Sequence, residues 1–124
     1  MSQQDNWHTM WEQQERFMRL LQNERGFPSF PVDIEAKAGQ RIIKEMAYEC
    51  VQELIEAIQL LKNSKSHRIT DVPEINRAHY LEEIADVFHY LIEVAILSGL
   101  SREEVLEAYL AKGEKNAKRI NEGY

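Results

Sequence analysis

Apolar residues recur at steps of three and four along almost the whole chain, which is the period of helices with one buried side. Only five glycines and three prolines interrupt the pattern, and an all-α domain follows. The first predicted helix runs from about Asp5 to Arg25, with Trp7, Met10, Trp11, Gln14, Phe17, Met18 and Leu21 on its inner side, and stops at Gly26. The stretch "GFPSFPVD" holds two prolines and reads as a connecting loop. A second helix is expected from Asp33 or Ile34 to about Asn63, with Gly39 inside it, followed by the polar loop "NSKSHRITDVPEIN" over residues 63–76. A third should cover Glu74 to Ser98 and end at Gly99. Ser101 followed by Glu104 is a capping-box signature, and it starts a fourth helix reaching about Ile120.

Four helices without a repeat or a dividing linker predict one four-helix bundle-type domain over residues 1–124. The second helix carries Val51 and Ile55 opposite its acidic side, so apolar residues cover more than half of its circumference. A lone short chain offers too few neighbours for such helices, so the core is expected to be completed by homo-oligomerisation, as a homodimer or homotetramer.

Charge and composition narrow the partners. Acids outnumber bases 21 to 15, for a formal net charge of −6, which argues against a surface built to coat nucleic acid. No apolar stretch approaches the roughly 20 residues of a membrane span. The amino-terminal "MSQQDNWHTMW" lacks a basic leader followed by an apolar block, so a cytoplasmic protein is expected. The single Cys50 allows no intrachain disulfide, and no Cys/His spacing resembles a zinc site.

The candidate chemistry lies in two acidic stripes. Glu49, Glu53 and Glu56 are spaced four and three apart and share a narrow sector of the second helix with Ile42 and Leu60, beside an apolar face of Met46, Cys50, Leu54, Ala57 and Leu61. In the third helix Glu83 and Asp86 line up with Tyr90 and Glu93, while Ile84, Phe88, Leu91, Ile92 and Ala95 form the expected core face. Carboxylates crowded at a core margin are costly unless a cation gathers them or some protonate. Oxygen-only donors suit a hard ion, Mg²⁺ or Mn²⁺, better than zinc. On spacing alone a solvated acidic face and a metal site both stay open.

Read together, the motifs resemble the all-α nucleoside triphosphate pyrophosphohydrolases, the superfamily of the MazG proteins and the dimeric all-helical dUTPases. The pairs "ELIE" (Glu53, Glu56) and "EIAD" (Glu83, Asp86) are similar to the family's E-x-x-E and E-x-x-D, and "DVFHYLIEVAILSGLS" resembles the dUTPase branch. The carboxyl terminus, "YLAKGEKNAKRINEGY", is similar to that branch's Y-x-x-K-x-x-x-N-x-x-R pattern with a final G-Y, through Tyr109, Lys112, Asn116, Arg119, Gly123 and Tyr124. The resemblance covers residues 7 to 124. The chain departs from it in Cys50, where the MazG form has the second of two adjacent glutamates. It also has "LLKNSKSHR" where the dUTPases carry tryptophans, and Ile120 where a glutamine is common.

The resemblance implies Mg²⁺-dependent hydrolysis of a nucleoside triphosphate to the monophosphate and pyrophosphate, dUTP first among substrates, with Mn²⁺ a substitute. It implies Glu53, Glu56, Glu83 and Asp86 as metal ligands, with Glu53 catalytic and Glu49 a further ligand or the base. Lys112, Asn116 and Arg119 would hold phosphate oxygens, and Gln14, Trp11 and His89 would serve the nucleoside. A broader MazG-like enzyme acting on dCTP or purine nucleotides is the nearest alternative. A non-catalytic helical oligomer or nucleotide-binding module is the alternative of another class.

Overall fold

A computed structural model describes residues 5–123. They form four helices and no strand: α1 (Asn6–Arg25), α2 (Lys37–Ile58), α3 (Arg77–Leu97) and α4 (Arg102–Asn121). The all-α expectation holds. Tyr124, counted in the carboxyl-terminal pattern, and residues 1–4 of the amino-terminal stretch lie outside the described residues. None of the described helices is by itself long and apolar enough to cross a membrane.

Helix ends follow from local chemistry. α1 stops at Gly26, whose φ of 69° is the left-handed conformation that glycine adopts without strain. α3 ends in a Schellman arrangement: the Gly99 N–H donates to the Ile96 carbonyl and the Leu100 N–H to the Ala95 carbonyl. α4 opens with the expected capping box, the Glu104 N–H donating to Ser101 Oγ at 3.1 Å and the Ser101 N–H to Glu104 Oε2 at 2.8 Å.

Two helices are shorter than the periodicity predicts. α2 starts at Lys37 rather than at Asp33 or Ile34, because Asp33 takes its own turn: its Oδ1 accepts from the Glu35 N–H and its carbonyl from the Ala36 N–H. At its other end, α2 stops at Ile58 instead of Asn63. The Leu60 and Leu61 N–H groups reach back only three residues, and Asn63 itself takes a left-handed φ of 58° with its amide donating to the Asp71 carbonyl. α3 begins at Arg77, three residues after the predicted Glu74, because Asn76 caps it by accepting the His79 N–H on its Oδ1.

The chain divides into two compact units, one formed by residues up to Val32 with those from Ala95 onward, the other by Asp33–Val94. In the first, α1 touches α4, and Trp7 Nε1 donates to the Arg102 carbonyl at 2.9 Å. Trp11, Met18, Ile96 and Leu97 are buried there with Gln14. The expected inner side of α1 is thus only partly inside, since Met10 and Phe17 are exposed. Trp11, Gln14 and Met18 make a stripe narrower than the run of apolar residues.

In the second unit α2 and α3 carry the site, and Cys50 Sγ donates to the Val87 carbonyl at 3.5 Å. The expected core faces are displaced here. Of the α3 set, Ile92 is buried but Phe88 and Leu91 are about half exposed, whereas Glu93 is 4% exposed. On α2, Cys50 and Ala57 are buried while Leu54 is exposed, as is Leu61 just beyond the end of the helix. The acid-bearing sides turn toward each other, which leaves the large aliphatic residues outside. Gly39 is required where the chain folds back: a methyl group there would overlap the Asp33 carbonyl oxygen. An unobstructed helical Gly→Ala change stabilises by about 0.5–1 kcal/mol. Gly39→Ala is expected to reverse that sign and cost about 1–3 kcal/mol in chemical denaturation. Ser101→Ala is expected to cost about 1 kcal/mol through the lost cap.

Candidate metal centre

The second unit brings carboxylates from two helices to one place. One carboxylate oxygen from each of Glu53, Glu56 and Glu83 lies within 4.8 Å of the others, with Glu53 and Glu83 half-buried and Glu56 exposed. The spacing of Glu53 and Glu56 on α2 and the facing position of Glu83 on α3 produce this convergence, as the stripes predicted. Asp86 and Glu49 are exposed and stand outside the 4.8 Å group. Both still act on its charge.

The electrostatics record the crowding. The Glu53 carboxyl is pushed above the usual carboxylate range, by burial first and then by Glu56, Asp86, Glu83 and Glu49. The Tyr90 phenol is pushed up by burial and by Glu49, Glu93, Glu53 and Asp86. The Cys50 thiol rises through burial and the charge of Glu53, which makes it an inert packed group rather than a nucleophile.

Glu83 is held asymmetrically. Its Oε1 accepts from His79 Nε2 at 3.1 Å, and its Oε2 is buried with no hydrogen-bond partner. A buried acceptor without a donor is costly, and it is the kind of atom a cation would satisfy. The donor set is all oxygen and the local charge strongly negative, so these residues fit a hard divalent ion such as Mg²⁺ or Mn²⁺.

The remaining candidates divide between the two units. His89 is exposed on α3, in the same unit as the acids. Trp11 and Gln14 are buried on α1 in the other unit, where Trp11 packs edge-on against Trp7 with ring centroids 5.6 Å apart. Trp11 also borders a shallow cleft of ≈200 Å³ with Arg19, Phe30, Ile96 and Leu100. Lys112, Asn116 and Arg119 follow one another along α4 of that unit, the first two exposed and Arg119 half-buried. Two residues escaped the sequence reading: His79, whose signal was its position four residues before Glu83, and Asn76, whose signal was a capping residue type at the end of a polar loop.

A family model described as dUTPase matches residues 29–124, most of the chain and all of its acidic motifs. The chain belongs to the dUTPase family. No curated protein and no solved structure matches it. At family level it is a dUTPase-like nucleotide hydrolase, and the acidic trio sits inside the matched region of this dUTPase relative.

Glu93, one helical turn past Tyr90, is pushed up to about 7 from 4.5 by burial. Because its folded value lies above its unfolded one, its contribution to stability is complete at low pH and is lost as pH rises through about 7. Between those values the folded protein is expected to lose up to about 3 kcal/mol from this group. Urea denaturation near pH 5 and near pH 8 should show a smaller difference for Glu93→Gln than for the wild type.

Proposed function

We propose that this chain is a Mg²⁺-dependent pyrophosphohydrolase that converts dUTP to dUMP and pyrophosphate. The observation that carries the reading is the meeting of Glu53, Glu56 and Glu83 from two helices, with one buried Glu83 oxygen lacking a donor, in a chain of the dUTPase family. Asp86, which completes the E-x-x-D pair, would be the fourth ligand. Mg²⁺ held by these carboxylates would neutralise the triphosphate and increase the electrophilicity of the phosphorus.

The chain's own groups would do the rest. Glu49, exposed one turn before Glu53, would take the proton of an attacking water. Tyr90, half-buried, and Glu93, buried, continue the side of α3 that carries Glu83 and Asp86. The phosphate-holding role of Lys112, Asn116 and Arg119, through charge-assisted bonds, rests on the family pattern. So do the nucleoside-contacting roles of Gln14, Trp11 and His89. We treat residues 1–124 as one catalytic domain acting in the cytoplasm on the free nucleotide pool.

A second copy of the chain would cover the outward apolar sides. Tyr48, Val51, Ile55 and Ile58 occupy the side of α2 away from the acids, and Leu81, Phe88 and Leu91 do the same on α3; all are exposed. A homodimer or homotetramer buries such faces at roughly 25 cal/mol per Å².

A broader MazG-like activity on dCTP or purine nucleotides is favoured by one feature, the "LLKNSKSHR" stretch where tryptophans are common in the dUTPases. Pyrophosphate release measured across all nucleoside triphosphates with Mg²⁺ separates the readings. The expected result is a preference for dUTP. Equal turnover of several nucleotides would replace it with the broader activity, and no turnover with Mg²⁺ or Mn²⁺ would leave a binding module or inert oligomer. Glu53→Gln, Glu56→Gln, Glu83→Gln and Asp86→Asn are each expected to lower kcat/KM more than about 100-fold, as loss of a metal ligand does.

A further inference from the structure

We propose that His79 is a positioning residue for Glu83, fixing one carboxylate oxygen so that the other is presented to the divalent cation; this rests on the metal reading of the acidic trio. His79 is one turn before Glu83 on α3, and its Nε2 lies 3.1 Å from Glu83 Oε1. An ionised carboxylate only accepts, so the bond requires the proton on Nε2. That occupies Oε1. Oε2, buried and without a hydrogen-bond partner, is the oxygen left for coordination.

The histidine is itself held in place. Its backbone N–H donates to Asn76 Oδ1 at 3.1 Å, and the Tyr80 N–H donates to the Asn76 carbonyl at 3.0 Å, so the first turn of α3 is closed at the residue that supplies the imidazole. The ring is half exposed, with 49% of its side-chain surface accessible, while the Glu83 side chain is 15% accessible. His79 thus bonds, from a more exposed position, a ligand that is largely shielded from solvent. A carboxylate without such a donor can rotate about its last torsion and exchange its two oxygens. Hydrogen-bonded partners of metal ligands act by removing that freedom, and their loss typically weakens metal affinity by about 10–100-fold.

An i,i+4 histidine–glutamate pair also forms for helix stability alone, and this chain contains one. His8 Nε2 lies 2.9 Å from Glu12 Oε1 on α1, and neither residue belongs to the group of acids found among the described residues. It serves as an internal control.

The test measures Mn²⁺ affinity by calorimetry, or by the loss of free-ion EPR signal, together with metal-free thermal stability. The variants are His79→Ala, His79→Gln, His8→Ala and Glu53→Gln. His79→Ala is expected to bind Mn²⁺ about 10–100-fold more weakly. His79→Gln, whose amide N–H can donate to the same oxygen, should recover most of that loss, and His8→Ala should bind like the wild type. Affinity in His79→Ala within about twofold of the wild type overturns the proposal. So does a loss equalled by His8→Ala, or one that tracks a fall in metal-free stability and is not restored by glutamine. If the wild type binds no Mn²⁺, or Glu53→Gln binds as well as the wild type, the metal reading itself fails. Binding lost in Glu53→Gln but intact in His79→Ala removes only the role of His79.

Discussion

Repulsion among carboxylates is the constraint around which the α2 and α3 pair is organised. The carboxylate oxygens of Glu53, Glu56 and Glu83 lie within 4.8 Å of one another, and the partial burial of Glu53 and Glu83 limits how far water screens their repulsion. The chain has two ways to relieve it, protonation or a cation. Burial first, and then the neighbouring carboxylates, push the Glu53 carboxyl up; a divalent ion at the same place would act in the opposite direction. Proton and cation would therefore compete for one cluster, and under the proposed metal reading apo stability and metal affinity would be two expressions of the same crowding.

For the cluster to persist, the two helices must be held face to face by something other than the acids. Small and soft residues do this. Cys50 and Ala57 are buried on the inner side of α2, where larger side chains would separate the helices, and the Cys50 thiol reaches the Val87 carbonyl. Gly39 lets the Asp33 carbonyl lie directly against the first turn of α2, and Asn76 fixes where α3 begins. The position of Glu83 thus depends on a cap, and that of Glu53 on a helix start set by an aspartate turn and a glycine.

Periodicity made the number and type of elements legible, together with the caps at Gly26, Gly99 and Ser101, because those signals depend on a few neighbouring residues. It misplaced the starts of α2 and α3 because Asp33 and Asn76 offer the backbone side-chain partners that compete with the helix ladder. Glu53, Glu56 and Glu83 were legible as a set from their three- and four-residue spacing and the family motifs. Asp86 and Glu49 share those stripes but stand outside the trio, since a stripe fixes an angle around a helix and not the reach of each side chain. The inward face was misread for a deeper reason. Hydrophobicity says that Phe88 and Leu91 need cover, not whether this chain provides it, and the inner side of α3 was given instead to Val87, Tyr90 and Glu93.

That inversion links assembly to chemistry. On both helices the acids and the exposed aliphatic residues lie on opposite sides, so whatever covers Val51, Ile55, Phe88 and Leu91 presses on the backs of the segments that carry the carboxylates. Apolar burial is non-directional and scales with area, whereas cation coordination demands oxygen positions fixed to a fraction of an ångström. A second copy gripping the helix pair from outside would add to the contacts that Cys50 and Ala57 make on its inside, and so help to hold the like charges together. Under the proposed homo-oligomer, the association of copies and the competence of the acidic centre would be one equilibrium, with the hydrophobic outer faces opposing the repulsion within.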